Sequence, residues 1–129
     1  MKRPILTFAA AGILSAGSAL ADADHVVLVH GMLMDGSAWQ PVYEQLVAQG
    51  VDVHVAQLPL TGVEDDLAAT KRLLDSLPGT SILVGHSYGG LLVTELGARD
   101  SVRGLVYVAG FAPAPGESLG ALNAQYPAA

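Results

Sequence analysis

A serine stands at the centre of Gly85-His86-Ser87-Tyr88-Gly89. The apolar run Ser81-Ile82-Leu83-Val84 leads into it, and the helix-compatible run Gly90-Leu91-Leu92-Val93-Thr94-Glu95-Leu96 leads out. Strand, sharp turn and helix in that order admit few folds. The turn is tight enough to strain the serine backbone and to hold its hydroxyl above the end of a sheet. Glycines flank the serine because a Cβ there would meet the neighbouring strand or helix. Ser87 is therefore a candidate covalent nucleophile rather than a surface hydroxyl.

The rest of the chain alternates around this turn. Val26-Val27-Leu28-Val29 is a β-branched run of the kind covered on both faces of a sheet. Ser37 with Gln40 forms a capping-box pattern opening a helix to about Gln49, with Trp39, Val42, Tyr43, Leu46 and Val47 on one face and Gly50 as its stop. Val51, Val53 and Val55 alternate with Asp52 and His54, a strand less deeply buried than the first. Thr61 with Glu64 forms a second capping-box pattern. Glu64, Asp65 and Asp66 then read as a solvated helix start favoured by the dipole. Leu67, Leu73, Leu74 and Leu77 supply that helix's buried face, and Pro78-Gly79 ends it. Tyr88 to Arg99 reads as the helix after the turn, Leu105 to Ala109 as a further buried strand, and the remainder as weakly patterned. The order β-α-β-α-β-α-β predicts an α/β fold, a mostly parallel sheet with flanking helices and right-handed crossovers.

At 129 residues the chain holds one small domain, and its 51% hydrophobic content suits a buried parallel sheet. A formal net charge of -6 with no basic stripe argues against nucleic-acid binding. With no cysteine, neither a disulfide framework nor a thiolate metal site can form. His25, His30, His54 and His86 show no i, i+4 pairing and no H-E-x-x-H spacing, so no zinc motif is legible and no metal is expected.

The N-terminus carries an address. Lys2 and Arg3 precede an apolar stretch from Ile5 to Leu20, and Ala19-Leu20-Ala21 fits small-x-small cleavage. Residues 1–21 are expected to be a secretory signal peptide, with 22–129 the mature chain, secreted or periplasmic and free of the membrane. Gly12, Ser15, Gly17 and Ser18 dilute the stretch against a role as a spanning helix.

Ligands of open α/β sheets bind beyond the carboxyl ends of the strands. Two loops there carry chemistry, the turn at Ser87 and His30-Gly31-Met32 after the first strand. Acyl transfer needs two donors aimed at the developing oxyanion. One is normally the backbone N–H after the nucleophile, here Tyr88, and the other comes from the loop after an earlier strand. Met32 is the candidate there, because Gly31 lets the backbone come close.

Five segments in register, Val27 to Gly31, Asp35 to Trp39, Gln57 to Thr61, Val84 to Gly90 and Leu105 to Ala109, together resemble the α/β-hydrolase superfamily. The resemblance covers nearly all of Val26 to Leu122. It is closest to the branch with bacterial esterase-like hydrolases, plant methyl-ester esterases and hydroxynitrile lyases. It implies cofactor-free chemistry on a small-molecule substrate, usually carboxylic-ester hydrolysis, with Ser87 as nucleophile and the N–H groups of Met32 and Tyr88 as oxyanion donors. The triad order in this fold is serine, acid, histidine, yet all four histidines precede Ser87. His86 should diverge from Ser87 across the turn, and His30 should brace the oxyanion loop. His25 precedes the first strand, and His54 should face solvent. Of the acids after Ser87, Glu95 lies within a helix and Asp100 beyond it, leaving Glu117 as the one acid in reach of a strand's carboxyl end. The sequence thus reads as the N-terminal portion of a hydrolase domain, apparently truncated, without its catalytic histidine. A non-catalytic vestigial or binding protein and a hydroxynitrile-lyase-like enzyme are the alternatives. Substrate identity and oligomeric state are not legible.

Overall fold

The computed structural model describes residues 23–126; the signal peptide expected over residues 1–21 lies outside them. Along the chain run β1 (His25–Val29), a 3-10 turn (Gly36–Trp39), α1 (Gln40–Ala48), β2 (Val53–Ala56), α2 (Val63–Ser76), β3 (Ser81–His86), α3 (Gly89–Leu96), β4 (Val102–Val108) and α4 (Leu119–Gln125). The strands form one parallel sheet in the order β2-β1-β3-β4. The chain steps outward from β1 to β2, then crosses back over β1 to β3. The strand order therefore reverses between β1 and β3, where such sheets open a crevice at their carboxyl end.

Alternation along the strands divides the core. Val27, Val29 and Leu83 face α2 and α3 and pack with Leu74, Leu91, Leu92, Val93 and Leu96. Val26, Leu28 and Val53 face the other way and pack with Trp39, with Leu46 of α1 beside them. The continuous apolar run of β1 is thus explained, since both its faces are covered and all five of its residues are buried. Each fully buried valine or leucine there contributes about 1.5–3 kcal/mol relative to exposure.

The helix boundaries depart from expectation at their starts. Neither capping box forms. Asp35 caps the turn before α1 by accepting from the Ser37 N–H, and Gln40 instead reaches forward to Glu44. At α2 the N-cap is Gly62, while the Thr61 hydroxyl donates to Asp65. In both places a nearer carboxylate outcompetes the paired capping pattern, charged acceptors making the stronger hydrogen bonds. The C-terminal stop of α1 is as expected. The Gly50 N–H donates to Val47 O and the Val51 N–H to Leu46 O, the two bonds of a Schellman ending.

The last strand corrects a second expectation. β4 is not buried: Val106, Tyr107 and Val108 are 45%, 38% and 42% exposed. Among the described residues it is the outer strand of the sheet, paired to β3 alone, and only its Val102 and Leu105 reach the core under α3. α1 is likewise loosely seated, with Val42, Tyr43 and Val47 exposed. The weakly patterned tail contains a short helix, α4, whose Ser118 caps the Ala121 N–H. No described helix is long and apolar enough to cross a membrane.

Candidate active site

β3 ends in the turn that its glycines foretold. Ser87 has φ of 52°, in the left-handed region that costs a non-glycine residue about 1–2 kcal/mol. The contacts around it hold that conformation. The Ser87 N–H donates to Val108 O at the end of β4, and Ser87 O accepts from the N–H groups of Gly90 and Phe111. The glycines on either side are required by close approach. A Cβ on Gly85 would lie 2.6 Å from Gly89 O, and one on Gly89 would lie 2.5 Å from Val29 O. The helix start is pressed that tightly against the ends of β1 and β3.

Among the described residues, the other non-glycine residues with positive φ are Leu33, Leu60 and Ala109. Each lies in the loop after a different strand, so β1, β2, β3 and β4 each deliver one strained residue to the same end of the sheet. Strain of this kind collects where surrounding structure over-determines a functional geometry.

The loop after β1 lies against the Ser87 turn. A Cβ on Gly31 would come within 3.1 Å of Ser87 Cβ and 3.2 Å of His86 Nδ1. His30 fixes this loop. It is fully buried, and its Nε2 accepts from the Leu58 N–H at 3.1 Å, so Nδ1 carries the hydrogen and donates to Gly31 O at 2.8 Å. Both ring nitrogens are therefore committed to the loops after β1 and β2. The following residue, Met32, lines two cavities together with Tyr88. Tyr88 is the N-cap of α3, and its backbone N–H is among those no intrahelical carbonyl can reach. Met32 and Tyr88, the two oxyanion candidates, thus border the same space.

The smaller of these cavities, about 290 Å³, is also lined by Leu33, Leu60, Val63 and Asp66. The larger, about 570 Å³, extends past Leu67 and Leu91 to Glu117 and Leu119. Ser87 itself lines neither; it stands beside them at the turn. The His86 ring lies edge-to-face with Trp39 at 6.3 Å, and its Nδ1 faces Gly31. His25 and His54 belong to the amino ends of β1 and β2, across the sheet from Ser87. Among the later acids, Glu95 is exposed on α3 and Asp100 is exposed beyond it. Glu117 accepts from the Ala114 N–H and closes its own turn.

Asp66 corrects the reading of the acidic helix start. It is buried, with 1% exposure. Its Oδ1 accepts from the Leu60 N–H and its Oδ2 from the Tyr88 hydroxyl, both at 2.7 Å. Burial, followed by the Asp66 carboxylate, pushes the Tyr88 phenol well above its ordinary pKa. A sequence signal for Asp66 existed. It falls four residues before Thr70 and eight before Leu74, on the stripe that α2 buries, whereas Glu64 and Asp65 do not.

Comparison with known proteins places this geometry in context. A family model described as the alpha/beta hydrolase family matches residues 26–129. A pimeloyl-[acyl-carrier protein] methyl ester esterase of Aliivibrio salmonicida is 36% identical over an alignment of 92 residues that covers 65% of this chain and 35% of that protein. A pyrethroid hydrolase of Sphingobium wenxiniae is 31% identical over 104 residues, 70% of this chain and 37% of that protein. The crystal structure of a pyrethroid hydrolase from Sphingobium faniae superposes with a TM-score of 0.67 at 31% identity, covering 74% of this chain and 43% of that one. Tomato methylketone synthase I, at 22% identity and a TM-score of 0.65 over 80% of this chain and 46% of its own, shares the fold. The chain spans little more than a third of the length of these curated relatives.

Proposed function

Because the chain belongs to the alpha/beta hydrolase family, we propose that it carries the nucleophile and oxyanion hole of a serine esterase acting on small-molecule carboxylic esters. Ser87 Oγ attacks the ester carbonyl carbon while a base takes its proton. The carbonyl oxygen becomes an oxyanion held by the N–H groups of Met32 and Tyr88. Collapse expels the alcohol, which takes up the proton, and water then hydrolyses the acyl-Ser87 ester. The observation that carries this reading is the strained Ser87 turn, with the Gly31 loop packed against it. The esterase and hydrolase names of the relatives support the reaction class.

The base is proposed to be a histidine that these 129 residues do not include. His30 has both nitrogens engaged, His86 packs on Trp39, and His25 and His54 lie at the far end of the sheet. The same observation favours a second reading, in which the polypeptide as given is a non-catalytic binding form of the fold. Residues 1–21 are proposed to direct export and to be removed after Ala21; intact-mass analysis of exported protein beginning at Asp22 supports this, and a species retaining Met1 refutes it.

The experiment is hydrolysis of a small aryl ester by the protein as its gene expresses it, compared with Ser87→Ala. Loss of turnover in a folded variant supports the assignment. Turnover near wild type removes it.

A further inference from the structure

Strand register gathers three metal-type donors at the end of the sheet away from Ser87. Val26 lies opposite Val53 and Val27 opposite His54 in the β1–β2 ladder. Side chains alternate along a strand, so His25 shares a face with Val27, and Asp52 shares one with His54. Paired residues point the same way, which puts His25, Asp52 and His54 on one face. Asp52 Oδ2 is 2.8 Å from His25 Nδ1, and its Oδ1 is 3.2 Å from His54 Nε2. The three donor atoms lie within 4.8 Å of one another.

Two further observations distinguish this cluster from a surface ion pair. His25 is buried, and its Nε2 is 2.6 Å from Pro78 O. A carbonyl only accepts, so Nε2 carries the hydrogen. That leaves Nδ1 as the ring atom turned to the Asp52 carboxylate, 2.8 Å away. His54 Nε2 is enclosed, yet it makes no hydrogen bond. One cation shared by all three donors would engage both rings and the carboxylate. The Pro78 carbonyl also does for His25 what outer-shell acceptors do for metal-bound histidines, fixing the tautomer and the ring.

We propose that His25 Nδ1, an Asp52 carboxylate oxygen and His54 Nε2 bind one divalent cation of borderline softness, zinc foremost. Two imidazoles and a carboxylate are a zinc donor set, and water completes the tetrahedron. Metal–ligand bonds of about 2.0–2.2 Å place tetrahedral donors about 3.3 Å apart. The 3.2 Å contact already has that spacing, and Asp52, whose side chain is 58% exposed, has room to open the 2.8 Å one. The cation ties the edge strand β2 to β1 and acts on the fold rather than on the ester chemistry. His25 and Asp52 are 27 residues apart, so only strand pairing joins them.

The test uses protein stripped with a chelator and titrated calorimetrically with a zinc salt, with bound metal counted after dialysis. One zinc per chain and a raised melting temperature are expected. His54→Ala and Asp52→Asn should lower zinc affinity by about tenfold or more while keeping wild-type circular dichroism. Cobalt(II) gives a reading that needs no variant: an intense visible spectrum of tetrahedral type is expected on the wild-type protein. No zinc bound above background, affinity unchanged in His54→Ala, or a cobalt spectrum like that of the hydrated ion overturns the proposal.

Discussion

The Tyr88 hydroxyl donates to Asp66 Oδ2 at 2.7 Å, and both side chains are buried. This bond joins the start of α2 to the start of α3. Through the Leu60 N–H on the other carboxylate oxygen, it also holds the loop after β2. Tyr88 is a candidate oxyanion donor by its backbone, so the same residue is anchored by its side chain while its N–H is offered to the site.

Removing the acceptor leaves the buried Tyr88 hydroxyl and the part-buried Leu60 N–H without their partner. Asp66→Ala should destabilise the fold by about 2 kcal/mol, since each unsatisfied buried group costs about 1–3 kcal/mol and some of that is offset by no longer burying a carboxylate. Asp66→Asn keeps an acceptor and should be milder. Urea unfolding midpoints at neutral pH check the order.

The raised phenol pKa has a sign at alkaline pH. Folded Tyr88 keeps its proton where the unfolded tyrosine, at about 10, loses it. The contribution is therefore fully present below pH 10 and is lost as pH rises above it, by about 1.4 kcal/mol per pH unit for this one group. Tyr88→Phe should remove that part of the slope. Unfolding midpoints of both proteins between pH 9 and 11 measure it; parallel slopes would contradict the burial of an un-ionised phenol.

Gly89→Ala should be among the most damaging single-methyl changes. Its Cβ would meet Val29 O at 2.5 Å and His30 O at 2.8 Å, both backbone atoms that cannot swing aside. A loss of about 3 kcal/mol or failure to fold is expected. Gly62→Ala, where nothing lies within 4 Å, is the control that should express and melt near wild type.

The exposure of β4 predicts association. Val106, Tyr107 and Val108 are exposed on a strand with an unpaired edge, a combination that promotes edge pairing. Sedimentation should show the purified 129-residue polypeptide self-associating, and Val106→Lys with Val108→Lys should reduce it. A monodisperse wild-type monomer would count against this.

Much of the fold was legible because its signals are local. The β-branched run of β1, the glycines around Ser87 and the stop at Gly50 each act within a few residues, and each element formed where expected. What was not legible depends on partners far along the chain. The exposure of β4 follows from its place at the edge of the sheet, which periodicity does not encode. Both capping boxes failed because Asp35 and Asp65 offered nearer charged groups. Asp66 looked like its neighbours Glu64 and Asp65 until α2 turned it inward to Tyr88. His25, expected before the first strand, is its first residue, and His54 is half-buried beside Asp52 rather than solvated.

The most direct test of the account is labelling with a fluorophosphonate probe, followed by mapping of the modified peptide. The protein as its gene expresses it is labelled alongside the isolated 129-residue polypeptide. In the first, the account predicts label on Ser87 and none in Ser87→Ala; in the second, little label at all, because no histidine among the described residues hydrogen-bonds the Ser87 hydroxyl. Label on another residue would contradict Ser87 as the nucleophile. Stoichiometric labelling of Ser87 in the isolated polypeptide would contradict the absent base, and would mean that His30 or His86 leaves its present partners to reach the serine.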